Sequence, residues 1–297
     1  MSQTQRARID DSSFTAALAP ILALAMAEDI GDGDITGNAT VKTGTIATAR
    51  IIAKETVTVC GLEVWAQLMD HLAPGKYSFQ GGLADGARAH RDEEIARVQG
   101  PARALLAGER IAMNLICHLT GIATLTSRFV EIAGGLTILD TRKTTPGFRI
   151  LDKYAVRVGG GHNHRMSLNS GVLIKENHVV SAGSVAEAVR RARELAPTGV
   201  RVECEVRNRK ELQDAVRAGA EAVLLDNMGD AQIEECLELL KAEGTDIFVE
   251  ASGNMTLERV TALAPLAEKG LTAVSIGALT HSRPYADLSM LMNLNQD

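Results

Sequence analysis

Two hydrophobic rhythms run along the 297-residue chain, and the change from one to the other divides it. From Ile46 to Cys60 alternate positions are apolar, with Ala49, Ile51 and Ala53 and then Val57 and Val59 on one parity. A period of two predicts strands with one covered face. Phe14 to Ala27 reads as an amphipathic packing helix interrupted at Pro20, Leu62 to Leu72 as a helix, and Arg88 to Val98 as a polar-flanked strand. Pro101 can open a helix, because proline at the first helical position gives up no hydrogen bond. The helical spacing continues through Ala107, Ile111, Leu115 and Leu119, then restarts after Gly121 through Ile122, Leu125, Phe129 and Ile132.

Beyond Gly135 short apolar runs take over. Thr137 to Leu139, Val172 to Ile174, Val202 to Cys204, Val223 to Leu225, Ile247 to Val249 and Val274 to Ile276 read as buried strands. Helical periodicity fills Ser184 to Leu195, Arg209 to Ala218, Ala231 to Ala242 and Leu257 to Ala267. Strands alternating with helices predict a parallel sheet with helices outside it. Nearly every run ends in polar residues: Asp140 to Lys143, Lys175 to His178, Glu205, Asp226-Asn227, Glu250 to Gly253 and Gly277 to Leu279. A (β/α) barrel assembles its site from such strand ends around one axis, whereas an open sheet concentrates ligand contacts at one switch point. Six clear strands, fewer than eight, point to a smaller or irregular barrel.

Composition narrows the partners. With 45% hydrophobic residues the chain can bury a large core, and its net charge of -6 and 3% aromatics disfavour nucleic acid. Against that acidic background the stretch Leu139 to His178 carries Arg142, Lys143, Arg149, Lys153, Arg157, Arg165 and Lys175. A local positive field in an acidic protein suggests an anionic small ligand. Cys60, Cys117, Cys204 and Cys236 lie far apart, so neither a zinc site nor a disulfide framework is legible and a reducing cytoplasm is expected. The first apolar run is shorter than the ~20 residues a bilayer needs and has acidic rather than basic flanks, so no membrane span or leader is expected.

Guanidinium groups match carboxylate and phosphate oxygens, which makes Arg142, Arg165 and Lys175, with His164, candidates for an anion clamp. Glu205 and Asp226, acids at successive strand ends, can face a divalent cation, bond sugar hydroxyls or stabilise a developing positive charge; Glu203 shares the parity of Glu205 and competes for that role. Ser252-Gly253 and Gly277-Ala278 would let backbone N–H groups approach a phosphate, with simple turn chemistry as the rival reading. His162, His164, His178 and His281 invite a zinc cluster, but the surrounding cations oppose it. The acidic run EDIGDGDIT at residues 28 to 36 lacks the glutamate an EF-hand needs, and reads as a loop that ends the first helix. P-loop, dinucleotide-fold and nucleophile-elbow signatures are missing.

TRKTTPG, KYAVRVGGGHNHR, LIKENH, LLDNM, EASG and SIGALTHS, in that order and with EDIGDGDIT upstream, closely resemble the quinolinate phosphoribosyltransferase family, from about Ala27 to Leu291. The resemblance implies an N-terminal α/β sandwich domain over residues 1–119, onto which 285–297 packs back, and an incomplete seven-stranded α/β barrel over residues 120–284. It implies transfer of phosphoribosyl from phosphoribosyl pyrophosphate to quinolinate with decarboxylation, a magnesium cofactor, and a homodimer or higher homo-oligomer. Arg142, His164, Arg165 and Lys175 would hold the two carboxylates of quinolinate, and Arg110 would reach a neighbouring subunit's site. Lys143, Glu205 and Asp226 would face the phosphoribosyl pyrophosphate and its magnesium, while Ser252, Gly253, Gly277 and His281 would line the 5'-phosphate side. Three positions depart from the family pattern: Ser170 in place of Asp, Arg207 in place of an acid, and Asn254-Met255 in place of a Gly-hydrophobic pair. A noncatalytic sensor of an aromatic dicarboxylate would need the cations but not Glu205 and Asp226, and a nicotinate-specific enzyme would need fewer cations.

Overall fold

The computed structural model describes residues 11–294. In chain order the elements are α1 (Asp11–Asp29), α2 (Ile35–Thr40), β1 (Ile46–Ala53), β2 (Val57–Thr58), α3 (Glu63–Leu72), β3 (Ser78–Gly82), β4 (Arg88–Ala89), β5 (Glu94–Pro101) and α4 (Ala102–Ile132). They continue with β6 (Thr137–Leu139), α5 (Arg149–Val158), β7 (Val172–Ile174), α6 (Glu176–Ala182), α7 (Val185–Leu195), β8 (Val202–Val206), α8 (Arg209–Arg217), β9 (Ala222–Asp226) and α9 (Asp230–Ala242). β10 (Phe248–Ser252), α10 (Leu257–Leu263), a 3-10 turn (Ala264–Lys269), β11 (Ala273–Ser275), α11 (Ala278–His281) and β12 (Leu288–Leu294) complete the chain. The described residues fold into two compact units, one of residues 11–127, 144–160 and 282–294, the other of residues 128–143 and 161–281.

The first unit is built on an antiparallel sheet of order β12-β1-β5-β3. The period-two reading holds in detail, since Ala47, Ala49, Ile51 and Ala53 are fully buried on one face of β1. The single strand expected over Arg88 to Val98 is instead two pieces, separated by a turn in which Asp92 takes a positive φ of 67°. Helix α1 runs through Pro20, which lies on its exposed side, while Phe14, Leu18 and Leu22 are buried one turn apart. The acidic loop that follows ends in Asp34, whose carboxylate accepts the Gly37 N–H at 2.9 Å and caps α2.

Helix α4 is unbroken across Gly121, where the sequence pattern restarts. A side chain at Gly121 would place its Cβ 2.3 Å from the Pro284 carbonyl oxygen, so glycine serves a close backbone approach here rather than a break. At 31 residues α4 is long and apolar enough to cross a membrane by length and composition. It is a core helix of this unit: Thr120 and Thr124 bond the backbone at Cys60 and Thr58.

In the second unit six parallel strands follow the order β6-β11-β10-β9-β8-β7. The six apolar runs are these strands, although the run at Ile247 to Val249 extends further, to Ser252. A seventh position is reduced to one parallel bridge, Leu139 with His162, on the free side of β6. The barrel implied by the family resemblance is therefore a six-stranded sheet plus one bridge among the described residues. Outward positions such as Cys204, Val223, Leu225, Val249, Ala251 and Val274 are apolar and buried. They take the covering face of a parallel sheet enclosed on both sides.

Candidate active site

Strand alternation decides which side chains meet on the inner face. Glu203 and Glu205 share that face on β8, and the register sets Glu205 opposite Leu224 and Leu224 opposite Glu250. Two residues further along, Asp226 pairs with Ser252 and Ser252 with Ser275. These positions, except the deeper Glu203, line a cavity of about 300 Å³ together with Leu173 and Lys175 from the β7 end. The loop after β6 adds Thr141, Arg142 and Lys143, and the HNHR segment adds His164 and Arg165.

A fully buried carboxylate, the first of the polar residues that end β6, shapes this segment. Asp140 accepts the His164 backbone N–H at 3.0 Å and the Asn163 side-chain amide at 2.5 Å. His164 in turn is held at both ring nitrogens. Its Nδ1 accepts the Arg165 N–H at 2.7 Å, which leaves the ring proton on Nε2, 3.1 Å from Glu203 Oε2 and 3.6 Å from Glu250 Oε2. His164 thus orients Arg165 and lines the cavity beside the cations with which the resemblance groups it. Arg165 also donates to the Gly171 carbonyl at 2.9 Å, and burial followed by the nearby Arg142 charge pulls its pKa below the usual guanidinium range, with Glu203 opposing.

Lys175 is fixed from behind by His178, whose Nδ1 accepts the Lys175 backbone N–H at 2.9 Å. Its ammonium lies 3.0 Å from Glu205 Oε2. Asp226 accepts from the Asn227 amide at 2.9 Å. Glu205 and Asp226 therefore stand at adjacent strand ends with carboxylate oxygens on the cavity, a hard-oxygen donor set that suits magnesium, which keeps several waters and binds through one or two carboxylates plus substrate phosphates. The four histidines do not assemble. Among the described residues the one group of metal-ligating side chains is His164, Glu203 and Glu250, with ligating atoms within 4.8 Å of one another.

The loop after β10 accommodates its departure from the family pattern. Gly253 has φ 98° and Asn254 φ 49°, a left-handed conformation that asparagine tolerates better than most residues. Arg259 ties this loop to the one after β9 by donating to the carbonyls of Gly253 and Met228. At Gly277 an added Cβ would stand 2.9 Å from His281 Nε2 and 3.0 Å from Lys143 Cδ, so those two side chains close over a bare backbone. Arg207 is engaged elsewhere, with Glu176 at 2.7 Å and Glu211 at 3.1 Å. Ser170 bonds within its own turn, to Ser167.

Of the expected site residues, Arg142, Lys143, His164, Arg165, Lys175, Glu205, Asp226 and Ser252 line the cavity, while Gly253, Gly277 and His281 adjoin its lining residues. Arg110 is exposed on α4, in the first unit. Arg149, Lys153 and Arg157, which the charge pattern grouped with the clamp, belong to α5 and also to the first unit. The chain segment that looks continuous in sequence is divided between two bodies.

Comparison with known proteins shows the family of the chain. The family model described as quinolinate phosphoribosyl transferase, C-terminal domain, matches residues 122–291, and that of the N-terminal domain matches residues 34–120. The chain belongs to the quinolinate phosphoribosyltransferase family. It is 39% identical over 272 residues to the probable nicotinate-nucleotide pyrophosphorylase [carboxylating] of Bacillus subtilis, covering 91% of each chain. It is 38% identical to the nicotinate-nucleotide pyrophosphorylase [carboxylating] of Mycobacterium leprae, over 95% of this chain and 99% of the other. Among solved structures, the nicotinate-nucleotide pyrophosphorylase of Francisella tularensis superposes with a TM-score of 0.87 at 33% identity, over 98% of this chain and 100% of the other. Fold and family thus agree with the mixed α/β architecture described above.

Proposed function

We propose that this member of the quinolinate phosphoribosyltransferase family transfers phosphoribosyl from phosphoribosyl pyrophosphate to quinolinate, with decarboxylation, to give nicotinate mononucleotide, pyrophosphate and carbon dioxide for NAD synthesis. It is a pentosyltransferase. The observation that carries the reading is the meeting of Arg142, Arg165 and Lys175 with Glu205 and Asp226 in one cavity. A dicarboxylate needs the three cations, and a sugar that becomes cationic needs the two acids.

Arg142 and Arg165 present planar donors to the quinolinate carboxylates, and Lys175 adds a charge at the cavity edge. That orientation aims the pyridine nitrogen at C1 of the ribose. As pyrophosphate departs, positive charge develops at C1, and Glu205 and Asp226 stabilise it electrostatically. Glu205 and Asp226 would hold magnesium, which would supply charge neutralisation for the leaving group. Lys143 supports the same group, and Ser252, Gly253, Gly277 and His281 receive the 5'-phosphate. Once ribosylated, the nitrogen is cationic, and the electron pair left by the departing carboxylate is stabilised beside it.

The enzyme works as a homodimer or larger homo-oligomer in which Arg110 serves the neighbouring copy's site, and it acts in the cytoplasm, a setting that suits its four free thiols. Purified protein given quinolinate, phosphoribosyl pyrophosphate and magnesium forms nicotinate mononucleotide and carbon dioxide in equal amounts. A preference for nicotinate over quinolinate as substrate would refute the assignment. Mixing Arg110→Ala with Lys175→Ala chains restores part of the activity if sites are shared; no recovery in mixed oligomers would remove Arg110 from the site.

A further inference from the structure

Decarboxylation leaves an electron pair on the pyridine carbon, and that pair must take up a proton before the product is complete. The family reading names groups that bind and that stabilise charge, but none that gives this proton. Most side chains on the cavity are poorly placed to do so. Guanidinium groups as a class do not serve as proton donors in proteins, which sets the arginines aside. The Lys175 ammonium faces Glu205 at 3.0 Å, and the Nε2 proton of His164 points at Glu203. Asp226 accepts from Asn227, and Glu205 is the acceptor of the Lys175 pair.

Glu250 differs from all of these. It is fully buried in the middle of β10, on the cavity-facing parity and in register with Leu224 and Glu205. Neither of its carboxyl oxygens has a hydrogen-bond partner, and a second buried acid, Glu203, has an unpartnered oxygen as well. The ligating atoms of the two acids and of His164 lie within 4.8 Å of one another. Two buried carboxylates so close together do not both stay ionised, and the one with the poorer partners keeps a proton. Glu203 receives the Nε2–H of His164 at 3.1 Å, whereas Glu250 stands 3.6 Å from it, so the proton resides on Glu250.

Resting on the reaction proposed above, we propose that Glu250 is the proton donor of the decarboxylation. The C2–carboxyl bond breaks, its electron pair stays on C2 as carbon dioxide leaves, and the Glu250 O–H bond breaks as the C2–H bond forms. Glu250 is left as a carboxylate and regains its proton from solvent once product departs. Burial in the first place and the Glu203 charge in the second push the Glu250 carboxyl up to about 7, while His164, Ser275 and Arg201 oppose them. A donor of that strength is matched to work near neutral pH.

Glu250→Gln keeps the shape of the side chain and removes its acidity. With the full chain, quinolinate, phosphoribosyl pyrophosphate and magnesium, pyrophosphate and carbon dioxide are counted together. Wild type releases them in equal amounts. In Glu250→Gln, carbon dioxide per pyrophosphate falls by on the order of 10²-fold, the scale of general acid catalysis, and the carboxylated nucleotide accumulates. Equal release from the variant at the wild-type rate overturns the proposal. Absence of pyrophosphate from wild type would instead remove the reaction itself, and the Glu250 role with it. Glu203→Gln supplies a second test that leaves Glu250 in place. Loss of the neighbouring charge lowers the proton affinity of Glu250, so the alkaline fall in the carbon dioxide to pyrophosphate ratio moves to lower pH. A ratio whose pH profile does not move overturns the assignment even where Glu250→Gln fails to fold.

Discussion

Asp140→Ala tests whether the anion clamp is held by the buried carboxylate beneath it. Asp140 is fully buried and accepts hydrogen bonds from the His164 N–H at 3.0 Å and from the Asn163 amide at 2.5 Å. A hydrogen bond to a charged group contributes about 1.5–3 kcal/mol, and a buried donor left without an acceptor costs about 1–3 kcal/mol. The His164 N–H is only partly buried, so water satisfies some of the loss, and the sum is about 3–5 kcal/mol rather than the full total. At about 2–4 °C per kcal/mol for domains of this size, the melting midpoint falls by roughly 10 °C. Because the freed segment carries His164 and Arg165, KM for quinolinate rises more than KM for phosphoribosyl pyrophosphate. Asp140→Asn, which keeps one acceptor oxygen, falls between wild type and Asp140→Ala. Thermal unfolding by circular dichroism and steady-state kinetics with each substrate varied in turn provide the measurements. A midpoint within about 2 °C of wild type, or equal rises in both KM values, would refute the reasoning.

Lys175→Ala separates stability from catalysis. The Lys175–Glu205 pair is half-exposed on the lysine side, so its loss changes stability by less than about 1 kcal/mol, yet kcat/KM for quinolinate falls on the order of 10²-fold; a large drop in melting temperature would show a structural role instead. Stability should also depend on pH through Glu250. Its folded pKa, pushed up to about 7, lies above the unfolded carboxyl value, so its stabilising contribution is complete at low pH and is lost as pH rises through about 7. Glu250→Gln therefore gains melting temperature over wild type at pH 8 and little or nothing at pH 5, and equal differences at both pH values would contradict a raised pKa.

Much of the fold was legible because local patterning records burial. The parity of Ala49, Ile51 and Ala53 marks the covered face of β1, and the apolar runs after Gly135 mark the strands of the parallel sheet, since a strand enclosed by helices has no polar face outside the barrel axis. The polar ends of those runs located the cavity, and Arg142, Lys143, Arg165, Lys175, Glu205, Asp226 and Ser252 all line it. Gly121 misled the helix reading, because the residue that weakens a helix locally is also the residue that allows the Pro284 backbone to approach within contact.

Tertiary structure alone decided which charges meet. Arg149, Lys153 and Arg157 are interleaved in sequence with the clamp residues but fold into the other unit, because charge along a chain carries no information about which body a segment joins. The role of Glu250 was out of reach for a different reason. The apolar run set it among the polar residues just past Val249, whereas the ladder extends to Ser252 and brings Glu250 beside Glu203 and His164. A sequence states that two acids and a histidine exist, and their proton affinities depend on distance and dielectric, which only the folded sheet supplies.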